Sequence, residues 1–411
     1  MSEKTLITEA GRDIPVAAST QVLVAGAGIA GLSAALAAAR HGKDVILLER
    51  EYGLGGMATL GLITIYLPLC DGMGNQLVFG QGEELLHLSI KYGHEGRYPD
   101  AWLGNGTAEE RKQQRFTAQF NPHLFALTVE KLLRDEGVKI LYGTTVVDTV
   151  VEDGVIKYVI VENKSGRTAI AVDAVIDCTG DADVCHLAGA PTVVNPKGNG
   201  LASWYYYHDG KDVSLKMFGL ADVVPDKEDS KQSDGSDTYS AAKTDSLDAN
   251  FRFSGIDGYE LSDAVLAAHE KMFADILAQK EANPDLVPVT GSSIPLVRMS
   301  RRLAGLYTME EKDDHVRLPD SVGMTGDWCK RGPAYEIPFG ALHCAEVKNL
   351  LAAGRDISTS HAMWNVTRVI PPAAVSGQAA GTAAALGSDF MNTDIAELQR
   401  VLEADGVKLH F

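Results

Sequence analysis

Between residues 22 and 39 the chain carries no charge and a single polar side chain, Ser33. The run approaches the ~20 apolar residues that a membrane-spanning helix requires, but its internal rhythm is not that of one helix. "QVLVAG" is a β-branched run that stops at glycine, as strands buried on both faces do. "LSAALAAARHG" is alanine-rich and helical, with Gly42 placed as its stop. "KDVILLER" is a second buried strand, ending in Glu49. The pattern predicts a strand-helix-strand unit and no membrane span.

The same alternation of strands and helices continues along the chain. Residues 136–163 have the alternation of hairpin strands with polar turns, and residues 174–178 form a buried strand that ends in Thr179-Gly180-Asp181. "KNLLAAGRDISTSH" reads as a strand, a turn and a loop, followed by an Ala- and Gly-rich helix that begins near Pro371 and Pro372. Between these lie an aromatic strand, "WYYYH" at 204–208, and an amphipathic helix over 259–281 that stops before Asn283-Pro284. "IPLVRMSRRLAGLYTM", residues 294–309, has the look of a strand carrying three arginines. Residues 222–248 are polar, acidic and rich in Ser and Asp; they read as a surface loop, with a lid over an active site as the sharper alternative. No internal repeat occurs.

The three glycines that interrupt the first apolar run stand in the order G-x-G-x-x-G, and each has a physical task. Gly26 permits the tight turn out of the strand, Gly28 lets the backbone approach a pyrophosphate, and Gly31 lets the helix lie close on the sheet. The helix N-terminus adds free N–H groups and a partial positive charge for phosphates. Glu49, at the end of the second strand, stands where a carboxylate takes ribose hydroxyls. The complete unit points to a dinucleotide.

The residues after Glu49 decide which dinucleotide it is. A Gly-Gly doublet, Gly55 and Gly56, comes soon after this acid, and a simple nicotinamide dehydrogenase has no need of it. "EREYGLGGMATLG" resembles the two-domain flavoproteins of the glutathione-reductase-like superfamily. "GGMATLGLIT" is similar to an FAD-dependent oxidoreductase family related to, but distinct from, fumarate reductases. "DCTGD" and "AGRD" extend the resemblance from about residue 12 to about residue 387.

The resemblance implies FAD, taken as noncovalent because no attachment residue stands out in the sequence, and an α/β fold: a Rossmann-like FAD-binding domain with a parallel sheet, plus a discontinuous α+β substrate domain. The FAD-binding domain is assigned residues 1–75, 120–200 and 335–411, and the substrate or cap domain residues 76–119 and 201–334. The candidate cofactor positions are Gly26, Gly28, Ile29, Ala30, Gly31, Glu49, Arg50, Gly55, Gly56, Met57, Val146, Thr179, Gly180, Asp181, Gly354 and Asp356. In the resembled family, backbone near Val146 faces adenine, and the Asp of the Gly-x-Asp turn, here Asp356, holds the ribityl chain. The helix after Pro371 aims its positive end at the flavin N1 and O2 edge, which stabilises an anionic reduced flavin.

Flavin carries the redox chemistry, so the protein has to position substrate and manage protons. His361 precedes the flavin-facing helix, and its neutral pKa suits a proton shuttle; a structural histidine in a loop is the plainer reading. Arg368 lies in the same neighbourhood and is a candidate for an anionic substrate group. Arg298, Arg301 and Arg302 are costly to bury unpaired, so they meet either carboxylates or an anionic ligand; the resembled family carries a similar run. Met299 stands where that family often shows an acid. The WYYYH aromatics fit a core first and a pocket wall second.

Composition excludes several other classes. Charged residues make up 22% of the chain, which is ordinary for a globular protein, and 37 basic against 55 acidic residues give a net charge of -18. With no Lys/Arg block, nucleic acid and anionic membrane surfaces are poor partners. The 5 cysteines show no C-x-x-C spacing, so no redox dithiol, iron-sulfur cluster or metal site is encoded, and the setting expected is cytoplasmic. There is no second G-x-G-x-x-G for a separate pyridine-nucleotide domain. The expected activity is hydride transfer between flavin N5 and a small organic substrate, with an unnamed electron acceptor. Oxidation of a C–H bond next to O or N ranks ahead of reduction of an activated C=C. A flavin monooxygenase and a noncatalytic FAD-binding partner protein are the alternatives, and a homo-oligomer is left open.

Overall fold

The computed structural model describes residues 7, 11–195, 198–219 and 251–411; the acidic stretch 222–248 lies outside them. Its centre is a seven-stranded sheet: β1 (Val16–Ala25), β2 (Val45–Leu48), β3 (Lys139–Leu141), β4 (Thr145–Glu152), β5 (Val155–Asn163), β6 (Gly166–Asp177) and β7 (Leu350–Ala352). The order is β3-β2-β1-β6-β5-β4, and β7 also pairs β6. The pairs β3/β2, β2/β1, β1/β6 and β6/β7 are parallel, while β4, β5 and the first half of β6 form an antiparallel meander. One row of partners, Leu351, Ile176, Val24, Leu47 and Ile140, crosses the parallel part in register. Its first four members are completely buried, as parallel strands covered on both faces require.

The helices that matter below are α1 (Ile29–Arg40), α2 (Gln81–Ile90), α3 (Pro122–Asp135), α4 (Gly258–Ala282), α5 (His361–Thr367) and α6 (Ile370–Leu386). α1 connects β1 to β2, and Gly42 comes after it in the left-handed region at φ +77°. At 12 residues it is too short to span a bilayer, and among the described residues no helix is long and apolar enough to do so. α6 packs on α1 with almost no side-chain spacer: a Cβ on Gly377 would collide with the carbonyl oxygen of Ala30, and one on Gly381 with that of Ala34. Ser33 Oγ donates to the Ala374 carbonyl across the same contact, at 2.7 Å.

One expectation needs correction. The 294–309 stretch is a strand only over Arg301–Leu303, which pairs antiparallel with Thr192–Val194. Before that, the backbone bonds go to a side chain: the Arg298 and Met299 N–H groups donate to Asn199 Oδ1, and Asn199 Nδ2 donates to the Met299 carbonyl. A buried amide replaces the neighbouring strand there. Within 76–119, Val78, Leu85, Leu86 and Phe116 belong to the same buried cluster as α1 and α6. The helix expected over 259–281 is α4, which is long but weakly buried. Only Ala264 and Ala268 are fully covered, and Leu266 and Phe273 are 67% and 63% exposed. The aromatic strand Tyr205–His208 sits in a three-stranded antiparallel sheet with Trp204, Tyr205 and Tyr206 buried, in agreement with its core reading.

Candidate functional site

A cavity of about 410 Å³ opens at the C-terminal ends of β1, β2 and β6, where the crevice of an open parallel sheet is expected. Its floor is the glycine turn. Gly26 has φ +97°, and a Cβ there would lie 2.5 Å from the Cys178 carbonyl oxygen. A Cβ on Gly31 would strike the carbonyl oxygen of Gly26. Gly28 differs from both: a Cβ there would meet nothing within 4 Å, because that direction points into open space in the cavity. Two of the three glycines thus serve chain packing, and the middle one keeps room for a ligand.

The glycine doublet lies directly against this turn. Gly55 N–H donates to the Ala27 carbonyl at 2.8 Å, and a Cβ on Gly56 would be 3.1 Å from the Gly28 Cα. Both residues have positive φ, 100° and 51°. Glu49 is tied to the same corner, its carboxylate accepting from Ala27 N–H and Glu51 N–H, each at 2.9 Å. Burial pushes its pKa up, against the pull of those two N–H groups.

The opposite wall is the turn after β6. Asp177 is fully buried and accepts from Thr179 N–H, Thr179 Oγ1 and Cys185 N–H. Arg355 reaches over this turn: its Nε donates to the Gly180 carbonyl at 2.7 Å, and its Nη2 pairs with Asp181 at 2.7 Å. Ser300 Oγ completes the Asp181 carboxylate. Asp183, on the same wall, pairs with Arg301 Nη2 at 2.6 Å, and burial together with the charges of Asp181 and Asp177 raises its pKa to about 6.

Two helix N-termini end at the cavity. Gly28, Ile29 and Ala30 at the start of α1 line it, as do Val369, Ile370 and Ala373 at the start of α6. Pro371 and Pro372 occupy the first turn of α6, where a missing N–H breaks no intrahelical bond. Both helices therefore direct partial positive charge inward. The remaining surface is mostly apolar, from Met57, Ile63, Ile65, Leu67, Pro295 and Val297, with Arg298 and Arg368 among them. Arg368 donates to Asn365 Oδ1, and its guanidinium lies over the Trp328 ring, 5.9 Å from the centroid.

Most of the expected positions come together here. Gly26, Gly28, Ile29, Ala30, Glu49, Arg50, Gly55, Gly56, Met57, Val146, Thr179, Gly180, Asp181 and Gly354 line the cavity, and so do Arg298 and Arg368. Asp356, Arg301 and His361 do not, and Gly31 packs against β1 instead. Asp356 is fully buried behind the wall, and its Oδ2 accepts from Gly180 N–H at 3.2 Å and Ala182 N–H at 3.4 Å. Burial, and then the nearby Asp177 charge, raise its pKa well above the ordinary carboxylate range. Arg301 is committed to Asp183 and to the Asp181 carbonyl. His361 is exposed on the first turn of α5: Ser360 Oγ caps that helix at Met363 N–H, which turns Met363, Trp364, Val366 and Thr367 inward and His361 outward.

Sequence reasoning missed the wall made by residues 255–258, Leu261, Ile294, Pro295 and Val297, and also Thr144 and Thr145 beside Val146. The one available signal was Asp257 before Gly258, an N-cap whose Oδ1 accepts from Tyr259 and Glu260 N–H. Nothing local marks Ile294 or Pro295.

The residues present suit FAD: an open glycine cradle, two inward helix N-termini, and an apolar region wide enough for a ring system. Solved structures resemble the chain at low identity. L-proline dehydrogenase from P. horikoshii shares 11% identity at a TM-score of 0.44, over 95% of this chain and 99% of that one. A geranylgeranyl bacteriochlorophyll reductase-like protein from Thermoplasma acidophilum shares 11% at 0.43, over 94% and 84%. The open conformation of a flavocytochrome c3 fumarate reductase shares 15% at 0.39, over 90% and 79%. No curated protein matches the sequence. The profile of the FAD dependent oxidoreductase family matches residues 21–402, nearly the whole of the described sheet, cavity and helices, and the chain therefore belongs to that family of FAD-dependent enzymes.

Proposed function

We propose that the enzyme, a two-domain flavoprotein of the glutathione-reductase-like type, moves a hydride between noncovalently held FAD and a small organic anion. The observation that carries this reading is the convergence of two helix N-termini, the open side of Gly28 and two arginines on one cavity. Bound FAD supplies hydride transfer at N5. The chain supplies the rest. Gly28 and the first N–H groups of α1 would hold the pyrophosphate. The edge of Glu49 would take ribose hydroxyls, and backbone at 144–146 would lie beside the adenine. Gly354 and the start of α6 would hold the ribityl chain and the flavin edge, where the helix dipole favours negative charge.

Arg298 and Arg368 bind the anionic group of the substrate. An apolar wall around them strengthens such pairing because it excludes water. Asp356 acts as a positioning residue, fixing the Gly180 turn through its two N–H bonds. No step is assigned to His361. The division into an FAD-binding part and a substrate part remains our reading. It is supported by the fall of all seven sheet strands within 16–177 and 350–352, and by the cavity walls contributed from 255–258, Leu261, Ile294, Pro295, Val297 and Arg298.

The test is an anaerobic titration of purified protein with small hydroxy- and amino-carboxylates while the visible flavin spectrum is recorded. Bleaching by a carboxylate, and not by its amide, supports the proposal. Protein that shows no flavin absorbance and cannot be reconstituted with FAD would overturn it.

A further inference from the structure

A second cavity, of about 130 Å³, adjoins the first, with Leu261, Ile294 and Pro295 lining both. Its other apolar walls are Leu201, Phe253, Ala264, Ala268 and Leu296, each nearly or fully buried. Two of its serines are already engaged: Ser203 Oγ donates to Met272 Sδ, and Ser293 N–H donates to the Leu60 carbonyl, which ties this wall to a residue of the larger cavity. The pocket is a cleft that reaches the surface: exposed His269 and Ser293 and half-buried Ser292 also line it. It is bounded by the only two buried residues of α4, Ala264 and Ala268, one helical turn apart. A leucine at either position would close it, and alanine stands at both.

Size and chemistry indicate the occupant. Its volume of about 130 Å³ is close to the roughly 150 Å³ of an apolar cavity that takes up benzene. The segment 294–298 walls both cavities and ends in Arg298, so a ligand whose charge meets Arg298 has the smaller cavity within the same wall. We propose that the side cavity is a specificity pocket that receives a benzene-sized apolar substituent of the substrate, making the substrate an aryl- or branched-alkyl-substituted organic anion. The anionic half rests on the function proposed above; the pocket itself does not.

The FAD-loaded enzyme is titrated with acetate and with phenylacetate, and binding is read by calorimetry. Phenylacetate binds about tenfold to a hundredfold tighter, the range for burying one phenyl-sized group. Ala268→Leu fills the pocket and brings that ratio close to one. Leu296→Ala enlarges it and raises the preference for 1-naphthylacetate over phenylacetate. A native ratio near one, or a ratio unchanged in a folded, FAD-containing Ala268→Leu protein, overturns the pocket. If Ala268→Leu fails to fold, the absence of any gain for 1-naphthylacetate in Leu296→Ala overturns it. Benzyl alcohol that binds as tightly as phenylacetate overturns the anionic reading above and leaves the apolar pocket standing. Selective binding without flavin bleaching by any carboxylate separates failure of the redox proposal from failure of this one.

Discussion

The Cα of Gly377 on α6 faces the carbonyl oxygen of Ala30 on α1 so closely that a Cβ at residue 377 has nowhere to go. In an exposed helix interior, Gly→Ala would stabilise by about 1 kcal/mol. Here the obstacle is backbone, which no rotamer change can move, so the sign reverses. Gly377→Ala is expected to lower stability by about 1–3 kcal/mol, the cost of overpacking. Denaturant melts of the two proteins decide it, and a more stable variant refutes the contact.

Gly28 gives the opposite expectation within the same unit. Its φ of -69° suits any residue, and a methyl group there meets no protein atom within 4 Å. Gly28→Ala should leave the stability of the apoprotein within about 1 kcal/mol, since a compatible Gly→Ala change is nearly neutral. FAD affinity should fall about tenfold or more, equivalent to at least 1.4 kcal/mol of lost binding. Thermal melts of apoprotein and titration with FAD separate the two effects.

Arg355 and Asp181 form an ion pair whose side chains are only 14% and 16% exposed. Arg355→Ala leaves a covered carboxylate without its cation and should cost about 3–5 kcal/mol. Asp181→Asn in the Arg355→Ala background should recover part of that loss, with a coupling of about 1–3 kcal/mol in the double-mutant cycle. Additive losses would mean that the pair contributes no interaction of its own.

His343 gives a pH dependence. Its ring is 5% exposed and packs 4.7 Å from the Phe339 ring, and burial lowers its pKa from 6.5 to about 4. The folded state therefore binds this proton more weakly than the unfolded state. Stability is full above pH 6.5 and falls as the pH drops towards 4, by up to about 3 kcal/mol from this group. In His343→Leu that loss is absent, so the stability of the variant relative to native should rise by about that amount between pH 7 and pH 4. A flat difference would show that His343 does not titrate with folding.

How much of the molecule was legible in the sequence depends on how local each requirement is. Gly26, Gly28 and Gly31 declare the β1-α1 turn through their spacing: Gly26 takes a left-handed φ, Gly31 abuts the Gly26 carbonyl five residues back, Gly28 leaves the ligand its room, and the doublet Gly55-Gly56 adds its contact with Gly28. The cofactor side of the cavity was readable for that reason. Asp356 was not, because its direction depends on Gly180 and Ala182, which another part of the chain supplies; the cause at His361 is local, the Ser360 cap one residue before it, which turns it outward. Arg298 and Arg301 are near neighbours in sequence, yet one lines the cavity and the other pairs with Asp183, as residues three apart in an extended segment face opposite sides. Beyond the Asp257 cap, the walls at 255–258, Leu261, Ile294, Pro295 and Val297 come from contacts that no local pattern encodes.

β6 pairs β5 along its first half and β7 along its second, so the edge at Val175–Asp177 waits for a strand more than 170 residues later in the chain. Closing so long a loop is slow, and until it closes that edge offers unpaired N–H and C=O groups beside a hydrophobic face. During synthesis the nucleotide crevice can have its glycine turn in place while its sheet is unfinished. A chain interrupted before Leu350 would thus carry a sticky half-sheet, and the final stretch through α6 acts as the molecule's own protection against aggregation.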